Sequence, residues 1–372
     1  MIEITSTNSF LNLKNELSEL KTNSSFLSYD FHSALETSGS VGEKSGWIPF
    51  PIVAKSEGKV VGFMPIYLKE HSYGEYVFDW SWAEAFQKSG LNYYPKIISA
   101  IPFSPITGRR IIADNNDIKR MMVKALEKIL VDHKISSCHI LFPNRQDASL
   151  FNDMGWLQRE GVQFRWENKG YDNFEQFLTN LSHNKRKKIK QERKKINNLN
   201  IEVTIKQGNL ILDEDIEFFY ACYCNTYMLH NSSPYLTKEF FYQLNKNMSG
   251  KLVFIFAEKE GRRIASALNI ISEQSLYGRY WGSLEYVPSL HFELCYYAGQ
   301  EFCIQNNLKY FEGGAQGEHK LARGFDAFKT YSNHFIANSE FKAAIESFLS
   351  KEKKYMDIYS NELEERSPYK GK

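Results

Sequence analysis

Phe311-Glu312-Gly313-Gly314-Ala315-Gln316-Gly317-Glu318-His319-Lys320-Leu321-Ala322-Arg323-Gly324-Phe325 closes the apolar run that begins at Leu308, a run that reads as the end of a buried strand. Four glycines stand here among Glu, His, Lys and Arg. Glycine lets a backbone turn sharply and approach a ligand closely, while these charged groups bind anions or move protons, so the segment reads as the lip of an active site. A glycine-rich surface turn is the plainer reading of the same residues. On the functional reading, Glu318 and His319 are candidates for proton transfer, and Lys320 and Arg323 hold an anion or stabilise an oxyanion. Gln316 is a further substrate-binding candidate beside them.

Working upstream, a helix is expected from Leu290 to Asn306. It carries Glu293 three and four residues before Tyr296 and Tyr297, so a carboxylate and two phenols share a face, and Glu293 is a candidate general base with Tyr296 beside it. His291 and Cys295 have the i, i+4 spacing of a metal pair, but no second pair lies near and no metal is expected. Leu252 to Glu258 and Ile264 to Ser272 read as a hairpin turned at Glu260-Gly261, followed by a strand over Ser275 to Trp281. Arg279 and Trp281, at the end of that strand, are substrate-binding candidates.

Further upstream, Lys185 to Lys195 holds eight basic residues against one acid in eleven positions. Only Ile189 and Ile196 supply an apolar stripe, so most of this helix faces solvent. Ser182 is the expected cap. A solvated face is the ordinary explanation of such a run, yet a row of phosphates is a fitting counterpart, with Lys185, Arg186, Lys187, Lys190 and Arg193 as its contacts.

The first half alternates helix and strand. Helices are expected near Ser9 to Leu20, Ser24 to Glu36 and Asp117 to His133, and a further one starts near Asp147. Strands are expected over Trp47 to Lys55 and Val60 to Lys69, turned at Ser56-Glu57-Gly58-Lys59, and over Cys138 to Phe142. Glu70 to Trp82 gathers aromatics beside His71, Glu75 and Asp79. It reads as an aromatic strand packed under a loop, with substrate contact by those three residues as the functional alternative. Gly58, Tyr73-Gly74-Glu75-Tyr76 and Tyr93-Tyr94 recur as Gly261, Tyr277-Gly278-Arg279-Tyr280 and Tyr296-Tyr297 at nearly the same spacing. The chain therefore reads as two copies of one α/β (α+β) unit, divided into 1–160 and 161–372, each a mixed central sheet flanked by helices.

A length of 372 residues accommodates two such units. With 46 Lys and Arg against 44 Asp and Glu, net charge selects no partner, and the local basic run carries that information instead. Five cysteines, an odd number without framework spacing, fit reduced thiols. The first fourteen residues do not read as a signal peptide, and no window is apolar enough for a membrane helix, so a cytoplasmic protein is expected. Walker, nucleophile-elbow and dinucleotide fingerprints are absent, which argues against nucleotidase, hydrolase and dehydrogenase.

Tyr67 to Trp80, Tyr93-Tyr94-Pro95-Lys96, His291 to Tyr297 and Glu312 to Gly324 closely resemble a bacterial family of FemAB-like, peptidoglycan biosynthesis/recognition proteins. The resemblance runs over nearly the whole chain. It implies two tandem GNAT-like acyltransferase domains and a Fem-type N-acyltransferase that moves an aminoacyl or acyl group to an amine such as that of a peptidoglycan precursor. The implied donor, aminoacyl-tRNA or acyl-CoA, is a co-substrate, and no tightly bound cofactor is expected. Two features depart from the pattern. The acetyl-CoA signature of simple GNAT enzymes is not cleanly present, and the paired coiled-coil helices with which some Fem proteins meet tRNA are missing, although Ser182 to Leu199 is a reduced substitute. The site is expected in the second half, with Glu293 or Glu318 as base and Lys320 or Arg323 on the oxyanion. The alternative is a noncatalytic binder of cell-wall precursor or RNA on the same fold.

Overall fold

The computed structural model describes residues 1–20, 22–315 and 317–370, so Gln316 lies outside the described residues. Two compact units emerge, Met1–Thr22 with Phe26–Gly161 and Lys329–Tyr359, and Asn23–Ser25 with Val162–Phe328 and Ser360–Lys372. Apart from the short excursion of Asn23–Ser25, the chain passes to the second unit between Gly161 and Val162, and Lys329–Tyr359 then return to the first. A linear division at 160/161 contains no such return.

In the first unit, β1 (Ile2–Ser6) is followed by β2 (Trp47–Pro49), β3 (Ile52–Ser56), β4 (Lys59–Met64) and β5 (Tyr67–Lys69). Each of the two expected long strands is thus divided. Pro51 and Pro65 stand at the breaks, where a missing N–H ends the ladder. The divided hairpin serves two sheets. β3 and β4, turned through Glu57 and Gly58 at φ 51° and 82°, sit in the order β1-β3-β4-β7, with β7 at Ile112–Ala113. β2 and β5 join β6 (Lys96–Ser99) and β8 (Ser137–Leu141), with β6 and β8 parallel. The helix Asn116–Asp132 turns Ile118, Met122, Val123, Leu126 and Leu130 into a core with Ile52, Met64, Ile97 and Ile140. Each such buried side chain contributes roughly 1.5–3 kcal/mol.

Glu70 to Asp79 does not form the expected strand. It is an irregular loop, with Tyr76 at φ 63°, leading into the helix Trp80–Lys88. The tyrosine landmarks of the internal repeat also differ in conformation, since Tyr73 to Tyr76 lie in this loop whereas Tyr277 to Tyr280 lie in a strand.

β9 (Leu157–Glu167) carries the chain into the second unit, where β10 (Ile201–Gln207), β11 (Leu252–Lys259), β12 (Arg262–Ser272) and β13 (Ser275–Ser283) form an antiparallel meander. β14 (Tyr310–Gly314) then pairs parallel to β13, and antiparallel to the second-unit end of β9. Apolar β11 is buried over its first six residues, as a central strand requires. β15 (Asp326–Ile336) returns to pair with β8 through Ser332 to Ile336. Among the described residues, no helix is long and apolar enough to cross a membrane.

Candidate active site

β13 and β14 are paired only from Ser275 to Tyr277 and from Tyr310 to Glu312, although both continue beyond. A cavity of roughly 160 Å³ opens beside the unpaired ends, lined in part by Arg279, Trp281, His291, Cys295, Tyr296 and Lys320. The helix expected over Leu290 to Asn306 supplies one wall. It is helical at Leu290–Phe292 and Ala298–Gln305, but Glu293–Tyr297 form a π turn, which redistributes the side chains between faces.

The glycine-rich segment supplies another wall as the tight helical turn Glu318–Arg323. Gly317 enters it at φ 96°, and a Cβ at this position would lie 2.3 Å from the His319 ring. This lets exposed His319 fold back so that its Nε2 stands 2.8 Å from the Tyr296 hydroxyl. Lys320 is buried, and its stem passes so close to Gly313 that a Cβ there would lie 3.2 Å from Cδ. Burial lowers the Lys320 ammonium to about 8, against the opposing influence of Cys295. Burial, followed by the positive field of His319, Lys320 and Arg323, takes His291 down to about 4. His319 is lowered by partial burial and then by Lys320 and Arg323. Both imidazoles are therefore neutral at neutral pH.

Behind this wall lies a buried ionic network that the expected roles did not include. Arg323 Nη2 donates to Glu192 Oε1 at 2.7 Å and Nη1 to the His319 carbonyl at 2.8 Å, and its guanidinium covers the Phe292 ring at 3.4 Å. Tyr297 donates its hydroxyl to the same Glu192. Arg323 thus holds the turn together rather than lining the cavity.

Glu293 departs from its expected role too. Its carboxylate receives Arg193 Nη2 at 2.9 Å, while Arg193 Nη1 reaches Glu301 at 2.7 Å. Burial raises the Glu293 carboxyl and Arg193 opposes the rise. Arg193, expected on phosphate, is therefore engaged within the protein. Glu318 pairs with Arg366 at 2.6 Å. Neither Glu293 nor Glu318 is among the described residues lining the cavity.

The basic helix spans His183–Asn198, and Ser182 occupies the cap position without a side-chain capping bond. Arg186, Lys187, Lys190 and Lys194 line an open groove of about 310 Å³ with His183 and Gln191. Lys185, half-buried, lies outside that lining. Glu192 was overlooked as a lone acid in a basic run, yet it sits three residues after Ile189 and four before Ile196, on the buried stripe.

The three first-half candidates belong to a separate buried cluster within the first unit. Lys96 Nζ donates to Glu75 at 2.8 Å, to Ser72 at 2.7 Å and to Asp79. Tyr93 donates to Asp79 at 2.6 Å and stands 3.0 Å from His139 Nε2, and His139 Nδ1 meets His334 Nδ1 at 2.7 Å. His71 lies at the margin, 3.3 Å from Lys69 Nζ, with its Nε2 3.0 Å from the Ser45 carbonyl oxygen. Burial lifts Glu75 to about 7 despite Lys96, and brings Lys69 down to about 7 despite Glu75. Lys69, Lys96, His139 and His334 were missed because they lie within apolar strands, where the only signal is the charged or polar residue itself.

With its mixed sheets and flanking helices, the chain has the tandem GNAT-like α/β fold that its sequence led us to expect. The crystal structure of FemX aligns at a TM-score of 0.56 and 10% identity, covering 92% of this chain and 100% of that one. L-PGS from Bacillus licheniformis aligns at 0.52 and 10%, covering 85% and 94%. A conserved protein of unknown function from Bacteroides thetaiotaomicron aligns at 0.51 and 10%, covering 89% and 99%. At such identities the likeness is one of fold. In sequence, residues 10–371 match the FemAB-like family, described as peptidoglycan biosynthesis/recognition, and the chain belongs to that family. No curated protein matches it in sequence.

Proposed function

We propose that the protein is a Fem-type N-acyltransferase, moving an aminoacyl or acyl group from an activated ester or thioester to an amine acceptor. The observation that carries this reading is the cavity where β13 and β14 part, with Lys320 and Tyr296 in its wall and His319 hydrogen-bonded to that Tyr296. The acceptor amine attacks the donor carbonyl and forms the new C–N bond. Neutral His319, oriented by Tyr296, takes the ammonium proton, and Lys320 stabilises the tetrahedral oxyanion. Collapse breaks the bond to the leaving oxygen or sulfur, which departs with a proton. Glu293 and Glu318, being ion-paired, are weaker choices of base than the imidazole.

The family's description supports a cell-wall precursor as acceptor. The basic groove on His183–Asn198 supports a polyanionic donor such as aminoacyl-tRNA, held through phosphates by Arg186, Lys187 and Lys190, with acyl-CoA as the other donor class. Such a donor is a co-substrate, and the reading needs no resident cofactor. The test is transfer from each donor to a precursor amine by the wild type, His319→Ala and Lys320→Met. Loss of turnover in both variants is expected; undiminished turnover in both would overturn the assignment. Binding of precursor or RNA without donor consumption by the wild type would instead establish a noncatalytic binder on this fold.

A further inference from the structure

The Glu318–Arg323 turn, which carries His319 and Lys320, is entered and left through glycines in the left-handed region, Gly317 at φ 96° and Gly324 at φ 88°. Glycine adopts this conformation at little cost and many others besides, so two of them flanking a short turn give it two pivots. The orientation of the turn therefore depends on what grips it from outside. Its middle is held by Arg323 on Glu192. Its two ends are held by one short segment from much later in the chain, residues 366–370.

At the leading end Arg366 Nη1 donates to Glu318 Oε2 at 2.6 Å, one residue after Gly317. At the trailing end the Tyr369 hydroxyl donates to the Gly324 carbonyl oxygen at 2.6 Å. The two grips differ in strength. The Arg366 and Glu318 side chains are 55% and 39% exposed, so water screens their attraction. Tyr369 is buried, with the Lys169 ammonium 4.7 Å from the centre of its ring, and burial raises its phenol above the ordinary value, so the hydroxyl remains a donor. The segment is itself anchored. Ser182 N donates to the Pro368 carbonyl at 2.9 Å and Lys370 N to that of Asn180 at 3.1 Å, which makes an antiparallel bridge between Leu181 and Tyr369. Asn180, Leu181 and Ser182 directly precede the basic helix, so the turn is tied to the same backbone that sets where that helix begins.

We infer that residues 366–370 form a strap that sets the orientation of the Glu318–Arg323 turn, with Tyr369, acting through Gly324, as a positioning residue for His319 and Lys320. Its consequence for turnover rests on the transferase reading, whereas its consequence for His319 does not. Without the strap the turn still forms but pivots at its two glycines, and the 2.8 Å contact between His319 Nε2 and the Tyr296 hydroxyl is made only part of the time.

Tyr369→Phe removes one oxygen and no charge, so it reaches His319 only through the turn. The first readout needs no donor: the His319 imidazole resonance of the full chain, assigned by its loss in His319→Ala, is followed across pH. In the wild type His319 titrates below the ordinary histidine value because of partial burial and then Lys320, Arg323 and Lys188, against the opposing Glu192. In Tyr369→Phe the titration is expected to move up toward that ordinary value, as the burial and the neighbouring cations recede. The second readout is transfer, where kcat is expected to fall about tenfold with the donor KM unchanged, the mark of misplaced reacting groups rather than of lost binding. A merely structural Tyr369 would lower the unfolding midpoint alone. An unmoved titration overturns the inference, as does an unmoved kcat where the wild type transfers. Should Tyr369→Phe fail to fold, Arg366→Gln takes its place: hydrogen exchange over residues 317–325 should quicken severalfold and be restored in Arg366→Lys, and unchanged exchange in Arg366→Gln would overturn the strap. A wild type that transfers nothing removes the transferase reading, and the imidazole titration still decides the strap.

Discussion

Each unit buries a lysine, but the surroundings differ. Lys96 in the first unit is fully enclosed and meets Glu75, Asp79 and Ser72 within hydrogen-bond reach. Lys320 in the second unit borders a cavity that Arg279 lines as well. The first arrangement spends its electrostatics inside the protein and fixes a loop to a strand. The second leaves a positive field directed at whatever enters, which is the condition of a binding site.

The sharpest way to break this contrast is Lys96→Met. It strands two buried carboxylates and is expected to cost about 3–5 kcal/mol in urea unfolding. Combining it with Glu75→Gln and Asp79→Asn should recover most of that loss, and a triple variant no better than the single one would refute a closed ionic cluster. Lys320→Met should behave in the opposite sense. Transfer is expected to fall by about 10²–10³, the scale of one oxyanion donor, with a smaller shift in urea midpoint than Lys96→Met.

Acid and alkaline limbs of stability draw on different groups. Burial holds His32 and His139 neutral down to about 3, so the unfolded chain binds more protons between pH 6.5 and 3 and stability falls as pH drops through that window. Lys320, lowered to about 8, releases its proton in the folded state while the unfolded chain keeps it up to about 10.5, so stability rises with pH between those values. Lys69 adds to the alkaline rise from about 7. Chemical denaturation across pH should show the alkaline rise reduced in Lys320→Met with the acid limb intact, and an unchanged alkaline limb would contradict the low Lys320 value.

The smallest effect on folding belongs to the outer face of the basic helix. Lys185→Glu, Arg186→Glu and Lys187→Glu together should shift unfolding by about 0.5 kcal/mol or less each while abolishing salt-sensitive binding of tRNA. Retained binding would move the polyanion site away from this helix.

Much of this was legible in the sequence, and the failures share causes. Periodicity found the helix at Asn116–Asp132 and the β11–β12 hairpin, because amphipathic spacing is local. It misjudged Glu293, since a π turn shifts the face on which Tyr296 and Tyr297 stand. It joined β2 to β3 by reading through Pro51. The glycine-rich turn was recognised from composition, yet Arg323 was assigned to the ligand, because its partner Glu192 lies 131 residues away and no local pattern announces it. Lys96 was hidden for the same reason, with Glu75 and Asp79 21 and 17 residues away.

The return of β15 to β8 bears on how the protein is made. Ser137 to Leu141 leave the ribosome long before Ser332 to Ile336 exist to pair with them. During that interval the first unit lacks a neighbouring strand, while Val162–Phe328, the bulk of the second unit, is already complete. A chain halted near Phe325 would therefore hold a nearly finished second unit attached to a first unit with an open sheet edge, a surface suited to chaperones or to aggregation.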